Sequence, residues 1–478
     1  MKIFKILPAL LSLPLLLATG ATSAAPAMTD RSCHLPGVVE ALRCVSVTVQ
    51  LEHAKPQGAA LKLHVTVAPA FRQGSRSDPL FVLAGGPGQA GSDVLVLLKA
   101  AFDRVRATRD IVFIDQRGTG LSGKLDCASK PEHDAMSDAE LMAELRACIA
   151  ANKSPLSAYT TLAAARDLES VRLALGYGPV NVWGGSYGTR LAQAYARAYP
   201  ASVRALVLDG VAAPDQVIPA GGRDSQTALD GLLAACAKDA ACHKAYPNLR
   251  AEFDALVTRV EAGAVRLSLP NPRTAEQTDF TMSSDRFLGT VHNILYAPAD
   301  ARRLPFLIHN ASRGRWQPFV ARQNLAGDFG NDASMSMLLH FAVVCAEDVP
   351  RFTPELMKSD AAVLARPLAE MIPKLCREDI KVPAVPYVAP TRIEAPALLL
   401  SGALDPVTPP HRAATAARSM ARAQQIVVAN AGHGVSQLGC APRLLRAFLD
   451  RPQDKLDAAC MAEIPAPTFQ LGSAGPQP

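Results

Sequence analysis

After its N-terminal segment, this 478-residue chain has no apolar run long enough to span a bilayer, and its basic residues nowhere cluster. The 49 Lys and Arg residues are scattered along the sequence and stand against 43 Asp and Glu residues, a formal net charge of +6. Nucleic-acid binding therefore has little support. We also expect no integral membrane segment once the N-terminal segment has been removed.

Signatures of metal and cofactor sites are absent too. None of the ten cysteines shows the Cys-x-x-Cys spacing of a zinc or redox site. The glycine-rich segment 85–88 is not followed by the Lys-Ser/Thr pair that a phosphate-binding loop requires. We therefore expect neither a metal ion nor an organic cofactor. The chain also has no internal repeat.

What is present begins with a leader. Two lysines precede an apolar run over residues 6–18, and small residues follow through Ala25. This pattern is typical of a secretory signal peptide, here cleaved near Ala24. The alternative is a membrane anchor, but the apolar run is too short and contains two prolines. The sequence therefore predicts a periplasmic or secreted protein.

The cysteine content agrees with export. All ten cysteines follow the leader: Cys33, Cys44, Cys127, Cys148, Cys236, Cys242, Cys345, Cys376, Cys440 and Cys460. An even number of cysteines in an exported chain predicts disulfides. Neighbours along the chain are tempting pairs, but connectivity cannot be deduced from sequence and stays open.

Strand-like and helix-like segments alternate in two parts of the chain, which predicts an α/β fold with a mostly parallel, doubly wound sheet. Two further segments, Val45–Leu51 and Leu61–Ala68, alternate apolar and polar residues and predict an antiparallel edge hairpin. Core strands are predicted at 80–84, 111–114, 205–208, 397–401 and 425–429, and in the short apolar run that starts at Val180 and ends in the Gly-x-Ser-x-Gly motif; helices are predicted at 160–175 and 189–199.

The α/β alternation is interrupted between residues 213 and 390, where the chain reads as mostly helical with frequent Pro and Gly. We interpret this part as a helical cap inserted into one core. The alternative is a separate middle domain, but no low-complexity linker occurs at either boundary. The predicted organisation is a signal peptide (1–24), a first core part (25–212), the cap (213–390), a C-terminal core part (391–463) and a loose, Pro-rich tail (464–478).

The pentapeptide Gly-x-Ser-x-Gly around Ser186 stands between a predicted strand and a predicted helix. This is the arrangement of a nucleophile elbow, a sharp turn that presents the serine hydroxyl above the sheet edge. The pentapeptide alone also occurs by chance, so its position between strand and helix carries the prediction of a nucleophilic serine.

A serine hydroxyl needs a base, and the base needs an orienting carboxylate. Asp405 follows the strand 397–401 and His433 follows the strand 425–429, in the chain order expected for such a triad. Taken singly, Asp405 is more often a turn former before proline and His433 a loop histidine. Three residues at three strand ends, in order, predict a Ser186–His433–Asp405 triad.

The segment Gly85-Gly86-Pro87-Gly88 follows the first core strand. Without side chains, its backbone N–H groups can approach a developing negative oxygen. We predict an oxyanion hole formed by the N–H groups of Gly86 and Tyr187. The alternative is a simple tight turn.

Together with the segment 115–120 (Asp-Gln-Arg-Gly-Thr-Gly), these motifs resemble those of the proline iminopeptidase and tripeptidyl aminopeptidase family of α/β-hydrolases. The resemblance covers the core on both sides of the insertion and includes the C-terminal piece typical of the tripeptidyl branch. It implies an α/β-hydrolase fold and aminopeptidase activity. In one departure, Ala84 stands where many relatives have a histidine that could brace the glycines.

The resemblance also implicates the segment Cys345–Asp348, in which relatives place an acidic residue that holds the free amino group of a peptide. Glu347 and Asp348 are the candidates here. A partly buried carboxylate pairs well with an α-ammonium and measures distance from the chain end. The alternative is that both residues cap a helix or face solvent.

The sequence thus predicts an exported serine hydrolase that releases short pieces from free N-termini of peptides. Ser186 attacks the carbonyl, His433 transfers the proton and Asp405 orients the imidazole. Two alternatives remain: an esterase or small-amide hydrolase with the same triad, because fold and triad do not fix the substrate, and a catalytically silent binding protein.

Overall fold

The computed structural model of the chain describes residues 26–72, 78–127, 130–271, 274–330 and 335–476. The predicted signal peptide, residues 1–24, lies outside these ranges. Within them, no helix has the length and apolar character needed to cross a membrane.

The strands are β1 (Met28–Cys33), β2 (Leu42–Gln50), β3 (Ala60–Ala68), β4 (Leu80–Leu83), β5 (Ile111–Ile114), β6 (Val180–Gly185), β7 (Val203–Asp209), β8 (Val265–Pro270), β9 (Gln277–Met282), β10 (Ala397–Gly402), β11 (Ala423–Val428), β12 (Gln470–Gly472) and β13 (Gly475–Pro476). The helices are α1 (Gly91–Arg106), α2 (Asp138–Ala151), α3 (Thr161–Ala174), α4 (Tyr187–Ala198), α5 (Gly222–Lys238), α6 (Ala240–Ala245), α7 (Leu249–Ala262), α8 (Ser284–Ile294), α9 (Pro298–Ala301), α10 (Leu304–Ser312), α11 (Gln317–Gly330), α12 (Met337–Glu347), α13 (Pro354–Ser359), α14 (Arg366–Glu378), α15 (Pro410–Ala417) and α16 (Ala441–Asp450).

Nine strands form the central sheet in the spatial order β1-β2-β3-β5-β4-β6-β7-β10-β11. The pairs β1–β2, β2–β3 and β3–β5 are antiparallel. All the other pairs of this sheet, from β5 to β11 in the spatial order, are parallel. The predicted α/β-hydrolase fold, a mostly parallel doubly wound sheet with an inserted helical cap, is confirmed. Because parallel strands share one carboxyl edge, residues that follow β4, β6, β7, β10 and β11 meet there.

One strand prediction needs correction. The hairpin β2–β3 is antiparallel as predicted, but it is not the sheet edge, because β1 pairs with β2 on the outside. Five of the six residues of β1 are exposed, so this strand carries no apolar alternation. In addition, the chain between β7 and β10, which the sequence predicts to be mostly helical, contains the antiparallel hairpin β8–β9 among its helices.

Apolar side chains pack on both faces of the sheet. Helices α3, α4 and α12 cover one face, and α1 and α16 cover the other. The cap, here the elements α5 to α14 with β8 and β9, has a core of its own. Its aromatic centre is Phe287, whose ring lies within 6.1 Å, centroid to centroid, of Phe253, Trp316 and Phe319. Each such buried ring stabilises the fold by about 1.5–3 kcal/mol.

The C-terminal segment differs from the predicted loose tail. Phe469 is buried in the cap core, and the guanidinium of Arg302 lies 4.1 Å above its ring. The N–H of Gln470 donates to the Arg302 carbonyl, and the Tyr246 hydroxyl donates to the Gln470 carbonyl. One aromatic residue amid polar and Pro-rich sequence was too weak a signal for this docking.

All ten cysteines are paired, each with its neighbour along the chain: Cys33–Cys44, Cys127–Cys148, Cys236–Cys242, Cys345–Cys376 and Cys440–Cys460. The prediction of disulfides is confirmed, and the pairing that sequence left open is now assigned. Two bridges lie in the cap, and Cys440–Cys460 ties the start of α16 to the segment that follows it.

Candidate active site

Ser186 occupies the turn between β6 and α4. Its φ of 53° lies in the left-handed region, which is strained for a residue with a side chain. The neighbouring chain passes so close that a β-carbon on Gly184 would overlap the Gly188 carbonyl, and one on Gly188 would overlap the Leu83 carbonyl. Both glycines of the pentapeptide are therefore required by the elbow.

Asp405 follows β10, His433 follows β11, and the structure brings them together. His433 Nδ1 lies 2.8 Å from Asp405 Oδ2. Burial alone would lower the pKa of His433, yet the Asp405 carboxylate raises it above the usual value. For Asp405, burial would raise the pKa, but the charge and hydrogen bond of His433 lower it. The pair favours an imidazole held in one orientation with its other nitrogen free to act.

The Asp405 carboxylate is itself fixed by its own turn. Its Oδ1 accepts hydrogen bonds from the N–H groups of Val407 and Thr408, both at 2.9 Å. Thr408 Oγ1 donates to Oδ2 at 2.7 Å and lies 3.1 Å from His433 Nδ1. Sequence reasoning missed Thr408, although a hydroxyl residue three positions after a turn aspartate was the available signal.

Asp209, at the end of β7, is a second residue that sequence reasoning missed. Its carboxylate is buried and accepts the N–H groups of Val435 and Ser436, just beyond His433, at 2.8–3.0 Å. Burial raises the pKa of Asp209. Its carbonyl accepts the Ser186 N–H at 2.9 Å. Asp209 therefore links the elbow to the histidine loop, and its place at the end of an apolar strand was the signal.

The cap supports the histidine from the other side. Tyr296, just after α8, accepts the His433 N–H through its carbonyl, and its ring lies edge-on to the imidazole. Four residues before Tyr296 lies His292. Burial lowers the pKa of His292 to about 4, so this imidazole is neutral near pH 7. Nothing in the local sequence marks Tyr296 or His292, since their role depends on where the cap folds.

Gly86 and Tyr187, the two residues predicted to form an oxyanion hole, line the same cavity as Ser186. Tyr187 is the first residue of α4, so its N–H has no partner four residues earlier within the helix. Gly86 follows β4 with φ 105°, a conformation that favours glycine. The Gln116 side chain donates to the Ala84 carbonyl at 3.1 Å and steadies the end of β4. This gives the segment 115–120 a supporting role at the site.

Two cavities of about 180 Å³ each meet at Ser186. The cap cavity lies under the cap and is lined by Gly86, Tyr187, Arg190, Tyr296 and His340 among others. The α1 cavity lies beside helix α1 and is lined by residues that include Val94, Leu97, Trp183 and His433. Among the described residues, no carboxylate lines the cap cavity, and no three His, Cys, Asp or Glu side chains group so as to hold a metal ion.

The structure places Glu347 and Asp348 behind the wall of the cap cavity. Asp348 is fully buried and pairs with Arg190 through two bonds of 3.0 Å and with Arg351 at 2.9 Å. Glu347 accepts the N–H and the hydroxyl of Thr161, both at 2.6 Å, and so caps α3. Burial raises the pKa of Glu347, and the nearest Arg190 nitrogen is 3.9 Å away.

Comparison with known proteins agrees with this geometry. A family model described as alpha/beta hydrolase fold matches residues 78–436. The chain is 29 % identical over 280 residues to the serine protease Hip1 of Mycobacterium tuberculosis, and this match covers 53 % of each chain. It is 29 % identical over 254 residues to a tripeptidyl aminopeptidase of Streptomyces coelicolor, covering 48 % of this chain and 47 % of that one. The chain thus spans about half the length of the curated relatives it matches.

Proposed function

The chain belongs to the α/β-hydrolase family, and from that premise we propose that it is an exported serine peptidase with Ser186, His433 and Asp405 as its triad. The observation that carries the proposal is the 2.8 Å pair of His433 and Asp405 beside a cavity that Ser186 also lines. Ser186 stands on a strained turn, as a nucleophile elbow requires.

In the proposed reaction, Ser186 Oγ attacks the substrate carbonyl while His433 takes its proton. The N–H groups of Gly86 and Tyr187 stabilise the negative oxygen of the tetrahedral intermediate. The bond to the leaving group breaks, and His433 gives the proton to that group. Water then attacks the acyl-enzyme by the same route and frees Ser186. Asp405 orients the imidazole and stabilises its charged form throughout.

We propose that the substrates are peptides with a free N-terminus. The tripeptidyl aminopeptidase relative supports this choice, and so does the cap cavity, which residues of the cap and Ser186 line together. An acyl group bound under the cap has room for only a short piece of chain before the scissile bond, whereas an endopeptidase needs an open groove on both sides.

Within this proposal, Glu347 is the partner of the substrate ammonium. Asp348 is neutralised by two guanidinium groups within 3.0 Å, whereas the one ion pair given for Glu347 is the long contact of 3.9 Å with Arg190. Its side chain keeps 13 % of its surface exposed, against 0 % for Asp348. Each carboxylate oxygen of Glu347 accepts one hydrogen bond from Thr161 and has capacity for a second.

A second candidate function is hydrolysis of esters or small amides. The specific observation in its favour is that Arg190 lines the cap cavity while no carboxylate of the described residues does. An acyl group without an ammonium would meet no unpaired negative charge there. The same triad serves both functions.

The proposed location outside the cytoplasm rests on the leader pattern of residues 1–24 and on the five disulfides. Disulfides persist in oxidising compartments and are rare where thiols are kept reduced.

One experiment addresses the reaction and the substrate together. The purified protein is labelled with a fluorophosphonate probe and then assayed on a mixed peptide library, with products identified by mass spectrometry. We expect labelling in the wild type and none in Ser186→Ala, with short N-terminal pieces released. Labelling that persists in Ser186→Ala overturns the triad, and internal cleavage overturns the aminopeptidase proposal.

A further inference from the structure

The proposed function assigns no part of the substrate to the α1 cavity. This cavity lies between helix α1 and the ring of Trp183, and Ser186 lines both it and the cap cavity. Its volume is about 180 Å³. An apolar protein cavity of about 150 Å³ is large enough to bind benzene. The α1 cavity can therefore hold one leucine- or phenylalanine-sized side chain.

The position of the cavity identifies which part of a substrate enters it. The oxyanion residues Gly86 and Tyr187 line the cap cavity, whereas His433 lines the α1 cavity. In acyl transfer by a serine enzyme, the histidine protonates the departing group, so that group lies on the histidine side of the nucleophile. The acyl part of the substrate thus fits the cap cavity, and the leaving group fits the α1 cavity.

Two facing walls of the cavity are apolar. Val94, Leu97 and Leu98 of α1 supply one wall, and Leu97 is 46 % exposed, which is high for a leucine. The indole ring of Trp183 supplies the other wall. Its N–H already donates to Ser436 Oγ at 2.9 Å, so the ring offers only hydrocarbon to a ligand.

The titratable groups that line this cavity already have partners. Among the described residues, Asp209 is the one acid that lines it, and its carboxylate accepts the N–H groups of Val435 and Ser436. The imidazole of His433 is paired with Asp405. In the part of the chain that the structure describes, no lysine or arginine lines the cavity. A charged side chain would lose its hydration there without gaining a partner.

We propose that the α1 cavity is a leaving-group subsite for an uncharged, apolar side chain on the residue that follows the scissile bond. The substrate chain beyond that residue continues past Leu97 to solvent, since no lysine or arginine of the described residues lines the cavity to hold a free α-carboxylate. Leaving groups that continue as a peptide or an amide are therefore preferred to a single free amino acid. This subsite rests on the proposed function in one respect, the acyl-enzyme at Ser186.

Acyl transfer to added amines isolates this subsite from the acyl side. An amine that occupies the leaving-group site attacks the carbonyl carbon of the Ser186 ester. The new C–N bond forms, the bond from that carbon to Oγ breaks, and His433 carries the amine proton to Oγ. With p-nitrophenyl acetate as acyl donor, the ratio of acetylated amine to acetate measures how well each amine binds, independently of how fast the acyl-enzyme forms.

The amines to compare are the α-amides of leucine, phenylalanine, glycine and aspartic acid. We expect leucinamide and phenylalaninamide to capture the acetyl group about tenfold better than glycinamide, the scale of apolar pocket discrimination. Aspartic acid α-amide should perform no better than glycinamide. Equal capture of all four amines overturns the subsite.

Variants on α1 locate the effect. Leu97→Ser should reduce the preference for leucinamide several-fold, and Leu97→Arg should shift capture toward aspartic acid α-amide. The matched control is Val96→Ser, because Val96 is 49 % exposed on the same helix but does not line the cavity. It should keep the wild-type ratios. A preference unchanged in both Leu97 variants, or lost equally in Val96→Ser, places the amine elsewhere and overturns the assignment.

The same assay separates this proposal from the proposed function. Release of p-nitrophenol and capture by amines that both persist in Ser186→Ala contradict the serine mechanism. An acyl-enzyme on Ser186 that partitions equally among the amines leaves that mechanism intact and contradicts the subsite alone.

Discussion

The backbone N–H of His433 donates to the carbonyl of Tyr296 at 2.8 Å, and the two rings lie edge to face with centroids 5.0 Å apart. One of these residues follows β11 in the core, and the other follows α8 in the cap. A β-carbon on Gly432 would overlap the same Tyr296 carbonyl, so the two segments are in direct contact. The cap therefore positions His433 as well as covering the site.

Replacing Tyr296 tests this positioning role. Tyr296→Leu removes an edge-to-face contact worth about 0.5–1.5 kcal/mol, so we expect kcat on a small ester to fall about three- to tenfold. Tyr296→Phe keeps the ring and should stay near the wild-type value. Steady-state kinetics of both variants provide the measurement. If leucine supports turnover as well as phenylalanine does, ring packing has no part in orienting His433.

Substitutions in the triad have the largest expected effect. Ser186→Ala and His433→Ala should each lower kcat by about 10⁶, and Asp405→Asn by about 10⁴, as in other serine hydrolases. Among the described residues, the Ser186 hydroxyl donates no hydrogen bond, so Ser186→Ala should unfold at the wild-type temperature. Turnover retained by pure Ser186→Ala would refute the assignment of the nucleophile.

The pH profile should reflect the Asp405–His433 pair. His433 acts as a base only when neutral, and Asp405 raises its pKa. The acid limb of kcat/KM should therefore lie above pH 6.5, the ordinary histidine value. In Asp405→Asn the raising charge is gone while burial still lowers the pKa, so the residual activity should have its acid limb below that of the wild type. An unshifted limb would show that another group controls it.

The elements that surround the nucleophile were predictable because their constraints are local. Gly184 and Gly188 mark the elbow, and Asp405 and His433 follow apolar strands whose carboxyl ends meet in any parallel sheet. Tyr296 was not predictable, because its position depends on how the cap helices fold back over the core. The strand β1 was missed because sheet-edge pairing uses backbone groups and leaves its exposed side chains free to be polar.

The disulfides should contribute unequally to stability. In the loop-entropy model, the stabilisation grows with the logarithm of loop length, so Cys345–Cys376, with a sequence separation of 31, should contribute about 1.5 kcal/mol more than Cys236–Cys242, with a separation of 6. Paired Cys→Ala variants compared by urea unfolding measure this difference. Equal losses of unfolding free energy in both double variants would contradict this order. In a separate measurement, thiol titration of the denatured, unreduced wild type should find no free thiols.

Discrimination between free and blocked N-termini decides between the two candidate functions. If Glu347 binds the ammonium, a peptide with a free amine should have a higher kcat/KM than its N-acetylated counterpart. Acetylation leaves the carboxylate without its charged partner, a loss of about 2–5 kcal/mol for a buried pair. The preference should also decline above about pH 8, where the α-amine loses its proton. Equal cleavage of both peptides favours the esterase or small-amide hydrolase.

The variant Glu347→Gln then tests the residue itself. The amide keeps an oxygen that can accept from Thr161, so α3 stays capped, but the negative charge is gone. We expect the ratio of free to acetylated cleavage to fall at least tenfold. Because one enzyme preparation cleaves both peptides, the ratio is independent of any loss of folded protein. If the ratio survives in Glu347→Gln, the aminopeptidase proposal stands and the ammonium binds elsewhere. Glu347 then serves only to cap α3, as its two bonds to Thr161 allow.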